Sequence, residues 1–156
     1  MTCDIACNII TIVASFVADT DVMVAALRSD RGASRQLLLA ALNRQFELLL
    51  SVPLMLEYEA VLTRPEHLAA CGLSAADVGH VLDDLAAVAR PVRLAFRWRP
   101  TLSDPDDDMV LETAINGRAS AIVTFNRRDF VSGTIGFRCA VISPATALQH
   151  IRSSKP

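Results

Sequence analysis

Between positions 104 and 108 the chain reads Asp-Pro-Asp-Asp-Asp, four carboxylates in five residues on the threshold of an apolar segment. Further acidic groups stand at Asp19 and Asp21 in FVADTDV, at Glu57 and Glu59 in LMLEYEAVLTR, and at Asp129 in TFNRRDF. Carboxylates brought together without cations repel one another and retain their protons, so a convergent set is tolerable mainly where divalent cations neutralise it. Ligand sets made only of oxygen suit magnesium or manganese. None of the three histidines, His67, His80 and His150, stands beside one of these acidic groups, which speaks against a zinc site and against a histidine base. Each acid also has a simpler account. Asp106, Asp107 and Asp108 suit a helix cap and the helix dipole, Glu57 and Glu59 suit a solvated helix face, and Asp129 suits a turn. Asp19 fits such an account least well, because a carboxylate that ends a buried strand needs a partner.

Whether the acids meet depends on the elements that carry them. FVADT (16–20) is a short apolar run with a polar end, the pattern of a buried parallel strand whose carboxyl end meets solvent. VMVAALRS then begins a helix, and ASRQLLLAALNRQ (33–45), entered through Gly32, forms a second; FELLLS (46–51) is the second strand. Pro53 opens a helix over LMLEYEAVLTR, and Pro65 is expected to stop it. SAADVGHVLDDLAAVA (74–89) carries Ser74 as its cap and Asp77 in near capping-box position. PVRLAF (91–96) reads as a third strand, Asp104 or Asp106 as the cap of DDMVLETAIN, and Gly117 as that helix's end. AIVTF (121–125) and RCAVIS (138–143) are the fourth and fifth strands, and PATALQHIR is a closing helix. This alternation predicts an α/β three-layer sandwich with a mostly parallel central sheet. Strand carboxyl ends then lie along one edge, so acids scattered from position 19 to position 129 can converge there.

At 156 residues and 52% hydrophobic composition, the chain suits one domain over 16–152, preceded by an N-terminal extension over 1–15. Its 15 basic and 17 acidic residues leave a formal charge of −2, so a surface for nucleic acid or membrane has to be local. Lys155 is the single lysine and every other basic residue is arginine, which suits bidentate phosphate contact and removes lysine-dependent mechanisms. Cys3, Cys7, Cys71 and Cys139 lack zinc-finger spacing and read as reduced thiols of a cytoplasmic protein. IACNIITIVASFVA (5–18) is apolar but lacks a positively charged leader, follows Asp4 and is short for a membrane span; no membrane partner is expected.

Four stretches, VADTDVMVAAL, LSVPLMLEYEAVLTRP, DPDDDMVLETA and IVTFNRRDF, occur in the order and on the elements found in PIN domains. Over about residues 16–150 the chain resembles that family, and most closely the PIN-family toxin components of bacterial toxin–antitoxin systems. The resemblance implies a metal-dependent endoribonuclease in which Asp19, Glu57, Asp107 and Asp129 hold one or two magnesium or manganese ions. It further implies supporting roles for Asp21, Thr124 and Asn126, contacts of Arg127 and Arg128 with the RNA backbone, a homodimer, and a cognate antitoxin that places a basic side chain among the acids. Asp21 stands where many relatives have Asn, and Asn126 where some have Asp. Arg97, Trp98 and Arg99 form a second candidate RNA patch, with an exposed loop as the alternative. Two rivals stand beside this expectation. One is a catalytically silent PIN-like module that binds RNA or protein. The other is a haloacid-dehalogenase-type phosphatase, which FVADTDV also resembles but which needs a late basic residue that Lys155 is badly placed to supply.

Overall fold

The computed structural model describes residues 13–96, 102 and 104–154; Cys3, Cys7, Lys155 and the patch Arg97, Trp98 and Arg99 lie outside them. In chain order the elements are β1 (Ser15–Ala18), α1 (Thr20–Arg28), α2 (Ala33–Leu42), β2 (Glu47–Leu50), α3 (Val52–Leu62), α4 (Pro65–Cys71) and α5 (Ala75–Val88). They continue with β3 (Arg90–Pro91), α6 (Pro105–Gly117), β4 (Ala121–Val123), α7 (Arg127–Val131), β5 (Ala140–Ile142) and α8 (Pro144–Ser153).

The five strands form one sheet in the order β3-β2-β1-β4-β5, and every pairing is parallel. From β1 the chain builds outward through β2 to β3, then returns to the other side of β1 to lay down β4 and β5. The direction of winding therefore reverses between β1 and β4, the place where open parallel sheets leave a crevice beyond their strand ends. The pleat sends alternate side chains to opposite faces. Phe16, Ala18 and Leu48 face Leu37, Leu38 and Ala41 of α2, Val22 and Met23 of α1, and Leu85 of α5. The intervening Leu49 points the other way, onto α6. There Gly117 lets Leu49 and Val92 close to 2.9 Å from where a Cβ would stand. Helices thus cover both faces of an apolar sheet, and α3 touches both layers through α1 and α6.

Four local expectations are corrected. Pro65 does not only stop α3: it opens α4, where a residue without an N–H and with a fixed φ suits the first helical turn. PVRLAF is not a full strand. Arg90 and Pro91 pair with β2 and the Val92 amide adds one last bond to the Leu50 carbonyl, after which Asn116 takes up the backbone at Ala95 and Phe96. Its Oδ1 accepts from the amides of Ala95 and Phe96, each at 3.0 Å, and its Nδ2 donates to the Phe96 carbonyl at 2.9 Å. Asp19 does not extend β1 but caps α1, which starts at Thr20. RRDFV, assigned to no element by its pattern, forms the short helix α7, anchored by the fully buried Phe130, so Asp129 stands on a helix rather than in a turn. The predicted capping box at Ser74 and Asp77 is present. Gly117 is the last helical residue of α6, and Arg118 takes the left-handed position after it with φ 53°.

Candidate active site

Asp19 closes β1 at the winding reversal. Its amide donates to the Val123 carbonyl of β4 at 2.9 Å, so the residue that caps α1 is still anchored to the neighbouring strand. Its carboxylate is fixed from two sides: Oδ1 accepts from the Thr20 amide at 2.7 Å and Oδ2 from the Thr124 hydroxyl at 2.7 Å. Thr124 is fully buried just beyond β4, and its hydroxyl also accepts from the Asn126 amide at 2.9 Å. Asp21, in the first turn of α1, accepts the Phe125 amide at 3.2 Å through Oδ2, while its Oδ1 is buried and meets no hydrogen-bond donor. The strand end itself is held by Tyr58 of α3, whose buried hydroxyl donates to the Ala18 carbonyl.

Burial, then the charge of Asp21, pushes the Asp19 carboxyl up to about 7, against the pull of the Thr124 and Thr20 bonds. Asp21 is raised by its own burial, with the Phe125 amide opposing and the charge of Asp107 adding to the shift. Burial and these two acids also push the Tyr58 phenol upward, so it stays a neutral donor.

The Asp-Pro-Asp-Asp-Asp stretch divides into separate tasks. Asp104 is the cap of α6 and accepts from the Asp106 amide at 3.0 Å. Asp108 turns inward, fully buried, and accepts from the Leu102 amide at 2.9 Å, so it holds the preceding loop. Asp106 is exposed. Asp107 is half-buried, and its carboxyl is pushed up to about 7 by burial, then by the charges of Asp19, Asp104, Asp129 and Asp106. Asp129, exposed on α7, therefore lies within electrostatic reach of Asp107. Glu57 is raised by burial and then by Asp106, with Arg64 opposing and Asp104 adding; its neighbours are the acids at the start of α6.

Asp19, Asp21 and Asp107 thus act on one another across the crossover, Asp129 acts on Asp107, and Glu57 flanks them on the Asp106 side. Among the described residues no three of these side chains already stand at the spacing of a metal cage. The donor chemistry nevertheless fits a hard divalent cation. All the groups offer oxygen, one buried carboxylate oxygen of Asp21 lacks any donor, and burial with like charges nearby raises the proton affinity of Asp19 and Asp107, a penalty that a bound cation would relieve. Asn126 is exposed at the start of α7 and leaves its side chain out of that helix's cap. Arg127 and Arg128 are exposed and, among the described residues, enter no ion pair; with Phe125, Asn126, Asp129 and Val131 they line an open recess beside the acids.

Three contributors were invisible in the motifs. Tyr58 reads as an ordinary core residue, because it falls on the same helix face as Leu54 and Leu62. Ser51 caps α3 and meets the Thr113 hydroxyl at 2.7 Å, which ties the helix of Glu57 to the helix of Asp107. Phe125 gives its amide to Asp21, a backbone role with no signature in residue type.

An acidic centre at the crossover of a parallel sheet defines the class of site. A family model described as a PIN domain matches residues 15–128, most of the chain, and the chain belongs to the PIN domain family. PIN domains are generally nucleases and generally use divalent metals. Asp129 lies one residue beyond the matched span. No curated protein matches the chain. Among the described residues no helix is long and apolar enough to cross a membrane.

Proposed function

We propose that this PIN domain is a magnesium- or manganese-dependent endoribonuclease, the toxin of a toxin–antitoxin pair. The observation that carries the catalytic part is the buried, donorless Oδ1 of Asp21 set among Asp19 and Asp107, whose carboxyls resist ionisation. Asp19, Asp21 and Asp107 would hold the cation, with Asp129 and Glu57 completing the set from the rim. A divalent cation bound there supplies activation of water and neutralises charge gathering on a phosphodiester. The protein's own contribution is to keep the carboxylates oriented. Thr124 and the Thr20 amide fix both oxygens of Asp19, and Tyr58 fixes the strand that bears it. Arg127 and Arg128 meet the RNA backbone, and Asn126 orients a ligand or phosphate oxygen.

The acid edge also suits an antitoxin segment that brings a basic side chain to it. A homodimer is supported by Val52 and Leu56 on the outer side of α3, exposed by 72% and 58%. The test is cleavage of a labelled single-stranded RNA by the purified protein in magnesium or manganese, with EDTA and Asp19→Asn as controls. Cleavage that vanishes in both controls is expected; tight RNA binding without cleavage in any divalent cation would instead make it a binding module. Light scattering at micromolar concentration checks the dimer, and a monomer would overturn it.

A further inference from the structure

We infer that Phe125 is a nucleobase platform, stacking one unpaired base of the substrate beside the acids; this rests on the ribonuclease proposal and specifies how the RNA is seated. Phe125 immediately follows Thr124, the residue that holds Asp19, and its own amide is bound to Asp21 at 3.2 Å. The chain is therefore tied to both acids as it enters the residue, through the Thr124 hydroxyl and the Phe125 amide, and the side chain is left over. That side chain is a large aromatic ring, 55% exposed. A ring that size is ordinarily buried unless it has a use outside the core.

The surroundings indicate which partner fits. The ring lies in the recess that also holds Arg127, Arg128 and Val131. Aromatic faces beside arginines are how proteins seat single strands: the ring stacks on the base while the guanidinium groups meet the phosphates. Val52 and Leu56 of α3 and Val131 of α7 are also strongly exposed but aliphatic, and Phe96, 67% exposed, is tied to Asn116 near the end of α6 opposite Asp107. Because Phe125 is covalently next to Thr124, the base it stacks belongs to a nucleotide adjoining the phosphate presented to Asp19 and Asp107. Paired RNA keeps its bases stacked internally and cannot use this face, so the platform selects unpaired segments.

The experiment measures binding of a fluorescein-labelled single-stranded RNA of mixed sequence by anisotropy. Calcium replaces magnesium so that the carboxylates are neutralised while the strand stays intact. Phe125→Ala and Phe125→Leu are expected to weaken binding about five- to a hundredfold, the range given by base–aromatic stacking, and Phe125→Trp to retain it. Melting curves should show all three variants folded, since the ring is exposed. Unchanged binding in Phe125→Ala, or binding by Phe125→Leu equal to that of Phe125, would overturn the platform. Loss of self-association in Phe125→Ala with RNA affinity intact would overturn it in favour of a protein contact. Failure of the ribonuclease proposal looks different: the wild-type protein would bind RNA with the Phe125 dependence described and yet leave it uncut in magnesium and manganese. A wild-type protein that binds no RNA would overturn both.

Discussion

The hydroxyl of Tyr58 donates to the carbonyl of Ala18, joining two residues 40 positions apart, one beside Glu57 and the other beside Asp19. Tyr58 is fully buried, so its bond is not shared with water. Removing the hydroxyl leaves a carbonyl at the strand end short of its donor. Tyr58→Phe is therefore expected to lower stability by about 1–2 kcal/mol while keeping the fold. RNA cleavage should lose more in kcat than in KM, because the strand end that bears Asp19 would be less well fixed. Denaturant unfolding and steady-state kinetics on the same variant check both parts, and an unchanged kcat would confine Tyr58 to the core.

Thr124 offers a test through pH. Its hydroxyl bond lowers the proton affinity of Asp19 against the effect of burial. Thr124→Val removes that bond and should move Asp19 further above about 7. The acidic limb of the cleavage profile is expected to shift to higher pH, whereas Thr124→Ser should leave it in place. A profile unchanged in Thr124→Val would remove Asp19 from the rate-determining ionisation.

The division of the acidic stretch separates two aspartates that sequence leaves equivalent. Asp104 caps α6, and Asp104→Ala is expected to cost about 1 kcal/mol of stability. Asp107 makes no cap and sits among like charges. Asp107→Asn should leave the metal-free protein as stable or slightly more stable, yet abolish both cleavage and the rise in Tm on adding magnesium. Thermal unfolding with and without magnesium decides the matter: a magnesium response that survives in Asp107→Asn would place the cation elsewhere.

Proton binding gives the metal-free protein a pH dependence of a definite sign. The Asp107 carboxyl is held up to about 7 in the folded chain against an ordinary value of 3.8. Between those values the folded state binds more protons than the unfolded one, so stability from this group is complete below 3.8 and drains away as pH rises to about 7. The difference in Tm between Asp107→Asn and wild type, measured in EDTA, should therefore widen in favour of the variant across that interval. Saturating magnesium should abolish or reverse it. A flat difference would mean that Asp107 is solvated in solution.

Much of this was legible in advance because burial writes itself into apolar runs. FELLLS and AIVTF could only be interior strands, and their alternation with helices implied the parallel sheet that is observed. Asp19 was legible for the same reason, as a charge at the end of such a run. PVRLAF misled because its backbone is satisfied by one amide side chain, Asn116, far along the chain. The roles within Asp104–Asp108 were hidden because four like residues differ only in where a helix turn points them. Tyr58 and Phe125 were hidden because the first acts through a carbonyl and the second through its own amide, and neither leaves a trace in spacing.

The pairing of β1 with β4 has a consequence during synthesis. Phe16 meets Ala121, so the central pair of the sheet closes a loop of about a hundred residues. A growing chain that has emerged through α6 already carries Asp19, Glu57 and Asp107, yet it has neither the Thr124 hydroxyl nor the Phe125 amide that orient the first two aspartates of the edge. The edge is therefore assembled only after Thr124 and Phe125 have emerged from the ribosome, and a product terminated before Ala121 carries most of the acids without the means to align them.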